Sequence, residues 1–303
     1  MVKVSVLNSF KKLDKKKQES LTGLLMIIPA LVLLIIFVFI PLGMAIYRSF
    51  FDTVAGETTF VGLKFYLWTL DNELFIKSIF NVLVFAVIIT VLQISLSFLF
   101  ANVLVRIKGK FGVFARAIIY LPYLLSGIVV AVIFTLLTYY NGGVLNSIIQ
   151  SLGYDPIAWK SDPLWAPISI IIPTLWIGFG YTTLVMYAGL TNIPKDYYEA
   201  ADMDGAGFWK KMFSISIPCM KNYFILLVVT NIVGNLQMYE IPMIMTDGKE
   251  NTLTPVYYIM LNRSMGGNIS DSQITALAVL VMIVILLINS CVFYFFRDKE
   301  AKR

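Results

Sequence analysis

The sequence contains no histidine and only two cysteines, Cys219 and Cys291, among its 303 residues. The missing histidine excludes His-dependent catalytic triads and His-ligated zinc sites. The two cysteines indicate neither a disulfide framework nor a metal site, and we expect each to act as a small apolar side chain. The sequence also lacks a GxxxxGKS/T phosphate-binding loop. We therefore expect no enzyme activity, no bound metal and no cofactor in this chain.

Charged residues are also scarce, at 14% of the chain, whereas soluble domains carry about a quarter. Hydrophobic residues make up 58% of the chain, and many lie in stretches long enough to cross a bilayer, which takes about 20 residues. Six such spans are predicted, at 21–47, 78–105, 113–138, 165–190, 223–245 and 273–296. The sequence thus predicts an all-α membrane protein with six transmembrane helices, kinked at Pro29, Pro41, Pro167 and Pro173.

The basic residues predict the orientation of these spans. Eighteen of the 24 lysines and arginines lie in segments on one side of the membrane, and six lie on the other. Because cytoplasmic segments carry the excess of positive charge, both termini are predicted to be cytoplasmic. The net charge of +6 does not indicate a nucleic-acid partner, because the basic residues lie between apolar spans. We divide the chain into a basic N-terminus (1–20), a six-span domain (21–296) and a cytoplasmic tail (297–303).

A polar loop, residues 191–222, connects the fourth and fifth spans on the predicted cytoplasmic side. Lys195 to Met203 is predicted to form a short helix. Asp204 and Gly205 end this helix, because glycine accepts the turn conformation that other residues resist. A second short helix is predicted from about Phe208 towards Pro218. The loop is therefore expected to present a helix-turn-helix to the cytoplasm.

This loop resembles the EAA motif of ABC importer permeases. In that motif Glu-Ala-Ala is followed by three residues, Gly, nine residues, Ile, one residue, Leu and Pro. The loop keeps this spacing throughout and has Ile217 in the Leu position. In the family this loop forms the coupling helix, which sits in a groove of a separate ATPase. The resemblance implies an ATPase-docking site made by Glu199, Ala200, Ala201, Asp204, Gly205, Ile215 and Pro218.

The resemblance extends over about residues 21–296. Shorter pieces similar to sugar-uptake permeases lie at 60–63 with Tyr66, 121–123, 143–146, 159–163 and 189–195. Phe65 replaces an asparagine that is usual there, and the second outward loop is too short for the extra periplasmic domain of the enteric maltose subunit. The chain resembles the first of two permeases in maltose and glycerol-3-phosphate importers. This implies a type I ABC importer permease (MetI-like) fold with a cytoplasmic coupling helix.

The same resemblance implies partners and a substrate class. The partners are a second homologous permease, an ABC ATPase dimer that binds ATP and Mg, an extracytoplasmic solute-binding protein and membrane lipid. The chain would form half of a translocation path for a carbohydrate, of the oligosaccharide type, in the cytoplasmic membrane of a bacterium. A sugar phosphate such as glycerol-3-phosphate is an alternative substrate. An ion-coupled secondary carrier is another alternative, but it should bury ionisable residues in several spans, and Glu240 alone fits that expectation.

The fifth predicted span is unusually polar and is the candidate substrate path, with Asn231, Asn235, Gln237, Tyr239 and Glu240. Asn231, Asn235 and Tyr239 recur at every fourth position, so a continuous helix would place them on one face. Amides and an aromatic ring suit a polyhydroxylated ligand, so one interpretation is a transient sugar site, which for Asn235 and Gln237 is about as well supported as the other. Interhelical hydrogen bonds, worth about 0.6 kcal/mol each, are the other interpretation, favoured for Asn231. Glu240 lies near the outer end of this span, where water would solvate it.

Overall fold

The computed structural model of the chain describes residues 15–54, 57–249, 251–264 and 269–296. The predicted tail at 297–303 and most of the predicted N-terminal segment at 1–20 lie outside these ranges, so both assignments stay predictions. Within the described ranges the chain is mostly helical, with one short antiparallel hairpin.

The helices and strands follow one another along the chain as listed next. They are α1 (Lys15–Leu34), α2 (Ile40–Arg48), β1 (Phe51–Val54), β2 (Glu57–Phe60), α3 (Lys64–Leu70), α4 (Glu73–Leu104), α5 (Gly109–Tyr120), α6 (Gly127–Leu137), α7 (Val144–Ser151), α8 (Trp165–Thr191), α9 (Lys195–Met203), α10 (Phe208–Lys211), α11 (Ile217–Cys219), α12 (Lys221–Leu236), α13 (Glu240–Thr246), α14 (Pro255–Ser264) and α15 (Asp271–Phe296). Short π-helical turns at Ile35–Phe39 and Met212–Ser216, and a 3-10 turn at Leu121–Leu124, join neighbouring helices.

Four helical segments are long and apolar enough to cross a membrane unbroken: Thr22–Arg48, Glu73–Leu104, Trp165–Thr191 and Asp271–Tyr294. Two further candidates are bent pairs of helices. Their bends measure 94° between Gly109–Leu124 and Gly127–Leu137, and 72° between Phe208–Cys219 and Lys221–Leu236. Counting each bent pair as one crossing gives six spans, in agreement with the predicted all-α membrane fold. The second pair differs in its bounds from the predicted span at 223–245, because it includes residues 208–219 of the predicted loop and ends at Leu236.

A π-helical turn lies next to Pro41 in the first span, one of the positions where a kink is predicted. The backbone N–H of Ile40 donates to the carbonyl of Ile35, so a π-helical turn immediately precedes this proline. The same arrangement precedes Pro218 in the loop between α8 and α12. Proline lacks an N–H and its ring clashes with the carbonyl four residues earlier, and the wider turn accommodates both effects.

The third span is not the continuous helix predicted at 113–138. The chain leaves helical geometry at Leu125, which is extended with φ −82° and ψ 145°. A new helix, α6, then begins with Ser126 as its N-cap, whose Oγ accepts from the N–H of Val129 at 3.4 Å. The physical cause is local: Pro122 opens a short 3-10 turn, and a serine followed by Gly127 is a helix-start signal.

The fifth span is also interrupted, so the prediction of one helix over 223–245 is wrong. Helix α12 ends at Leu236, and Tyr239 has a non-helical φ of −147° and ψ of −32° before α13 begins. Pro242 has no N–H to donate to the carbonyl of Met238, four residues earlier. The hydroxyl of Thr254 donates to that carbonyl instead, at 2.8 Å. The break is therefore stabilised from outside the helix.

The bundle is organised around α4, which packs against both α8 and α12. Buried side chains from these helices and the loop before α12 form one apolar cluster, including Phe98, Met186, Met212, Met220 and Leu227. The first span differs, because none of its most apolar window is buried against the rest of the chain. An apolar helix left exposed in this way needs lipid or another protein to cover it.

The segments on the predicted outer side carry their own small structures. The fully buried Asn146 anchors α7, and the ion pair of Lys160 with Asp247, at 2.5 Å, joins two of these segments. Near that pair, burial raises the pKa of the Tyr257 phenol, Asp247 raises it further, and Lys160 lowers it. The Lys160–Asp247 pair therefore links two of the segments on the predicted outer side.

Candidate functional site

Within the predicted loop, residues 191–222, α9 has the predicted bounds. It is followed by a second helical segment from Phe208 to Cys219, in which a π-helical turn joins α10 to α11. Helix α9 ends in a Schellman motif. The N–H of Gly205 donates to the carbonyl of Asp202, and the N–H of Ala206 donates to the carbonyl of Ala201. Gly205 has a φ of +69°, a conformation that costs glycine little and other residues more. The turn between the two helices is therefore encoded by this glycine.

The loop is fastened to the membrane-spanning bundle through its second half. Ile215 packs against the apolar cluster between α4, α8 and α12. The hydroxyl of Tyr198, on α9, lies 2.9 Å from Ser216 Oγ, and Lys211 forms an ion pair with Asp202. The two helices of the loop are thus tied to each other as well as to the bundle.

The other predicted docking residues lie at the surface of the loop. Ala201 is half-buried, and the exposed ones are Glu199, Ala200, Asp204, Gly205 and Pro218. One turn after Glu199 on the same face of α9, Met203 is 88% exposed. Exposed methionine is typical of adaptable contact surfaces. The sequence did not single out Met203, because a methionine near the end of a helix usually packs inward.

The end of α4 also contacts the loop. The Arg106 guanidinium lies 4.9 Å from the centroid of the Phe208 ring, a cation–π geometry. Beside this contact lies a cavity of about 390 Å³ whose polar lining includes Asn102, Tyr198 and Lys211. The contact joins the residues that follow α4 to the second half of the loop.

The polar residues predicted to form the substrate path do not share one helix face, because α12 ends before Tyr239. Asn235 is buried, and its Nδ2 donates to Thr90 Oγ1 at 3.3 Å, as the interhelical interpretation predicts. Asn231 is half-buried, and its Nδ2 has no hydrogen-bond partner in the part of the chain described. Gln237 is exposed and Tyr239 is half-buried. A sugar contact by any of them stays a prediction.

Glu240 is half-buried at the first position of α13 and points towards the break in the third span. A Cβ atom added to Gly127, the first residue of α6, would lie only 2.0 Å from Glu240 Oε2. The carboxylate therefore lies against the start of α6, and a larger residue at position 127 would require the Glu240 side chain to move. The two helix breaks, which lie far apart in the sequence, meet at this contact.

A row of tyrosines runs along α5 and α8 towards the same break. The rings of Tyr123 and Tyr181 are stacked, with centroids 5.1 Å apart, and Tyr120 lies 5.3 Å from Tyr123. At the other end, Arg116 lies 4.7 Å from the centroid of the Tyr187 ring and donates to its hydroxyl at 3.1 Å. The sequence identifies Tyr123 only as part of the 121–123 motif, because the pairing of its ring with Tyr181 on α8 has no local signal.

Comparison with known proteins identifies the family. Residues 93–299 match the family described as "Binding-protein-dependent transport system inner membrane component". The chain belongs to this family. It is therefore a multi-pass permease of a transport system, as the EAA resemblance predicted, and its role is transport rather than catalysis. Membership in this family does not agree with an ion-coupled secondary carrier.

Individual relatives agree with this assignment. The chain is 30% identical over 285 residues to the "Probable ABC transporter permease protein YurN" of Bacillus subtilis, covering 92% of this permease and 97% of the relative. It is 33% identical over 236 residues to the "Trehalose/maltose transport system permease protein MalF" of Thermococcus litoralis, covering 77% and 79%. A solved bacterial transporter "involved in the import of the acidic polysaccharide alginate" has the same fold, with a TM-score of 0.80 and 21% identity over 93% of this permease and 97% of that chain.

Proposed function

We propose that this permease forms half of the translocation path of an ABC importer for a carbohydrate and docks on a separate ATPase through loop 191–222. The observation that carries the proposal is the geometry of that loop. Its Glu199 face is exposed, while Ile215 and the Tyr198–Ser216 contact fasten it to the bundle. A surface that is free on one side and rigidly attached on the other suits the transmission of motion.

The proposed mechanism is a two-state one. ATP binding and hydrolysis in the partner would move the docked α9. The Schellman turn and the Lys211–Asp202 pair would keep the loop's two helices together. The cation–π contact of Arg106 with Phe208 would pass the displacement to α4. The spans would then shift between inward-open and outward-open packings, each favoured by the ligand that fits it better.

We infer the partners from the family and from exposed surfaces. Family membership supports an extracytoplasmic solute-binding protein. The unburied apolar window of the first span supports contact with lipid and with a second homologous permease. An ABC ATPase dimer would carry ATP and Mg, since this sequence has no phosphate-binding loop. The charge bias supports cytoplasmic termini in a bacterial membrane.

The substrate class rests on relatives and on aromatic chemistry. Relatives include transport permeases named for trehalose and maltose, lactose and arabinooligosaccharides. The stacked pair of Tyr123 and Tyr181 lies beside the helix break and offers aromatic faces with hydroxyl groups. Such faces cover the apolar sides of sugar rings. Asn235 and Gln237 are proposed amide contacts on the same path.

Uptake by the complete transporter in proteoliposomes tests this proposal. A labelled neutral oligosaccharide should enter only with ATP and the solute-binding protein present. Replacing both Tyr123 and Tyr181 with alanine should weaken uptake, whereas changing the exposed Phe80 to alanine should not. Uptake without ATP, or driven by an ion gradient, would overturn the proposal.

A further inference from the structure

The predicted cytoplasmic end of α4 carries two neighbouring concavities with different linings. The first is the cavity of about 390 Å³ beside loop 191–222. The second is a groove of about 340 Å³ further back along α4, whose lining residues are all apolar: Leu96, Leu99, Phe100, Val103 and Phe179. None of the residues of the predicted substrate path lines either one, so both concavities lie outside that path.

Helical geometry places the groove and the cavity in line. The helical turn continues past the end of α4, because the N–H of Arg106 donates to the carbonyl of Val103 at 3.1 Å. These two residues therefore share one helix face. From Leu96 to Arg106 the helix rises about 15 Å, which is half of a hydrocarbon core of about 30 Å. With Arg106 at the predicted cytoplasmic surface, the groove lies at the depth of the inner leaflet.

The groove is open on its outer side. The four side chains that α4 contributes to it are each between 42% and 54% exposed. An exposed apolar surface marks a site of contact with the membrane or with a partner. At this depth the groove is a place for an acyl chain.

The cavity, by contrast, is positively charged. Its described lining includes Arg106 and Lys211 and no acidic side chain. Lys211 pairs with Asp202, but the Asp202 side chain is 62% exposed, so water screens the pair. The exposed Lys108 and Lys110 follow Arg106 along the chain and add to the positive potential. The cavity therefore attracts the anionic headgroups of the cytoplasmic leaflet.

Hydrogen-bond donors line the same cavity. The Arg106 guanidinium has five N–H donors. It contacts the Phe208 ring, and no hydrogen bond or ion pair of its N–H groups is found among the described residues. The hydroxyls of Tyr198 and Ser216 lie 2.9 Å apart, so one donates to the other and one hydroxyl proton is left for a ligand. Guanidinium, ammonium and hydroxyl donors together suit the oxygens of a phosphate group.

We propose that the cavity binds the phosphate group of an anionic phospholipid whose acyl chain lies in the groove at residues 96–103. The bound headgroup contacts Arg106 after α4 and Lys211 in the loop, so the lipid links the second span to the surface proposed to dock on the ATPase. The groove favours a phospholipid over a free phosphorylated metabolite, because only the lipid has hydrocarbon to fill it. Lipid binding does not depend on the proposed carbohydrate function, whereas its effect on coupling rests on that function.

Native mass spectrometry of the purified transporter complex, without any solute, measures this binding. Phosphatidylglycerol is titrated as the anionic probe and phosphatidylcholine as the zwitterionic probe. We expect the wild type to prefer phosphatidylglycerol, and Arg106→Gln/Lys211→Gln to bind it about tenfold more weakly, because two attracting charges are removed. The matched control is Lys108→Gln/Lys210→Gln, which removes the same charge from exposed positions outside the cavity and should bind as the wild type does. Equal weakening in both double variants, or equal affinity of the wild type for both lipids, would overturn the proposal.

A second experiment locates the acyl chain and needs no variant that could misfold. Phosphatidylglycerol with a diazirine on one acyl chain is photolysed with the wild-type complex, and the labelled peptides are mapped. We expect label within residues 96–103 that is lost when unlabelled phosphatidylglycerol is added in excess. Glycerol phosphate, which has no acyl chain, should not displace it at the same concentration. Label spread evenly over the spans, or displacement by glycerol phosphate, would overturn the phospholipid assignment. Neither experiment measures uptake, so a failure of the proposed carbohydrate transport leaves both results interpretable.

Discussion

Gly205 shows how much of the proposed docking surface depends on one residue. Its positive φ and the two Schellman hydrogen bonds set the angle between α9 and α10. Gly205→Asp should strain this turn by about 1–2 kcal/mol and reduce recovery of the ATPase with the purified permease. Gly207→Ala is the control, because its φ is −68° and a Cβ there meets nothing within 4 Å. Equal ATPase recovery from both variants would contradict this role.

Asn146 is the second residue whose replacement should have a large effect. Its side chain is fully buried. The Oδ1 atom accepts from the N–H of Ile157 and from Trp159 Nε1, each at 3.0 Å. The Nδ2 atom donates to the Ile157 carbonyl at 3.0 Å. Asn146→Ala leaves these buried groups unpaired, at about 1–3 kcal/mol each. We expect a clearly lower thermal midpoint for the purified complex. Gln150→Ala, an exposed amide on the same helix, should not change it.

At the scale of elements, the sequence predicts the ends of a helix such as α9, but it does not predict where the third and fifth spans are interrupted. The bounds of α9 follow from its flanking proline and glycine, which act within a few residues. The apolar stretches also follow directly from composition. Hydropathy, however, carries no information on backbone hydrogen bonding, so it does not predict the breaks at Leu125 and before Tyr239. The first break does have local signals in the sequence, Pro122 and Ser126. The second break depends on a hydrogen bond from Thr254, which is distant in sequence.

The second break yields a prediction of its own. Thr254→Val keeps the side-chain shape but removes the hydroxyl that donates to the Met238 carbonyl. In a continuous helix that carbonyl would accept from the N–H of residue 242, which is a proline. We expect a loss of about 1–3 kcal/mol in stability, measured as a lower thermal midpoint of the complex. Thr230→Val is the control, because its exposed hydroxyl bonds only within its own helix. A midpoint equal to that of the control would show that the break is stabilised in some other way.

At the scale of the whole molecule, two exposed surfaces indicate that the chain is one part of an assembly. The first span buries none of its apolar window, and the Glu199 face of the loop is uncovered. Motif spacing predicts the loop surface, whereas the sequence predicts the first span but not that its apolar window is left unburied by the rest of the chain. The sequence could not predict the contacts of Tyr123 with Tyr181 and of Gly127 with Glu240, because these residues meet only when separate spans pack together.

The central claim is that the Glu199 surface couples transport to a separate ATPase, and Glu199→Lys tests it most directly. ATP-dependent uptake and the ratio of ATPase to permease after purification are measured on membranes matched for permease content. The account predicts normal insertion, strongly reduced uptake and loss of ATPase, with wild-type values for the control Asp155→Lys in an exposed outer segment. Wild-type uptake together with full ATPase recovery in Glu199→Lys would contradict the account.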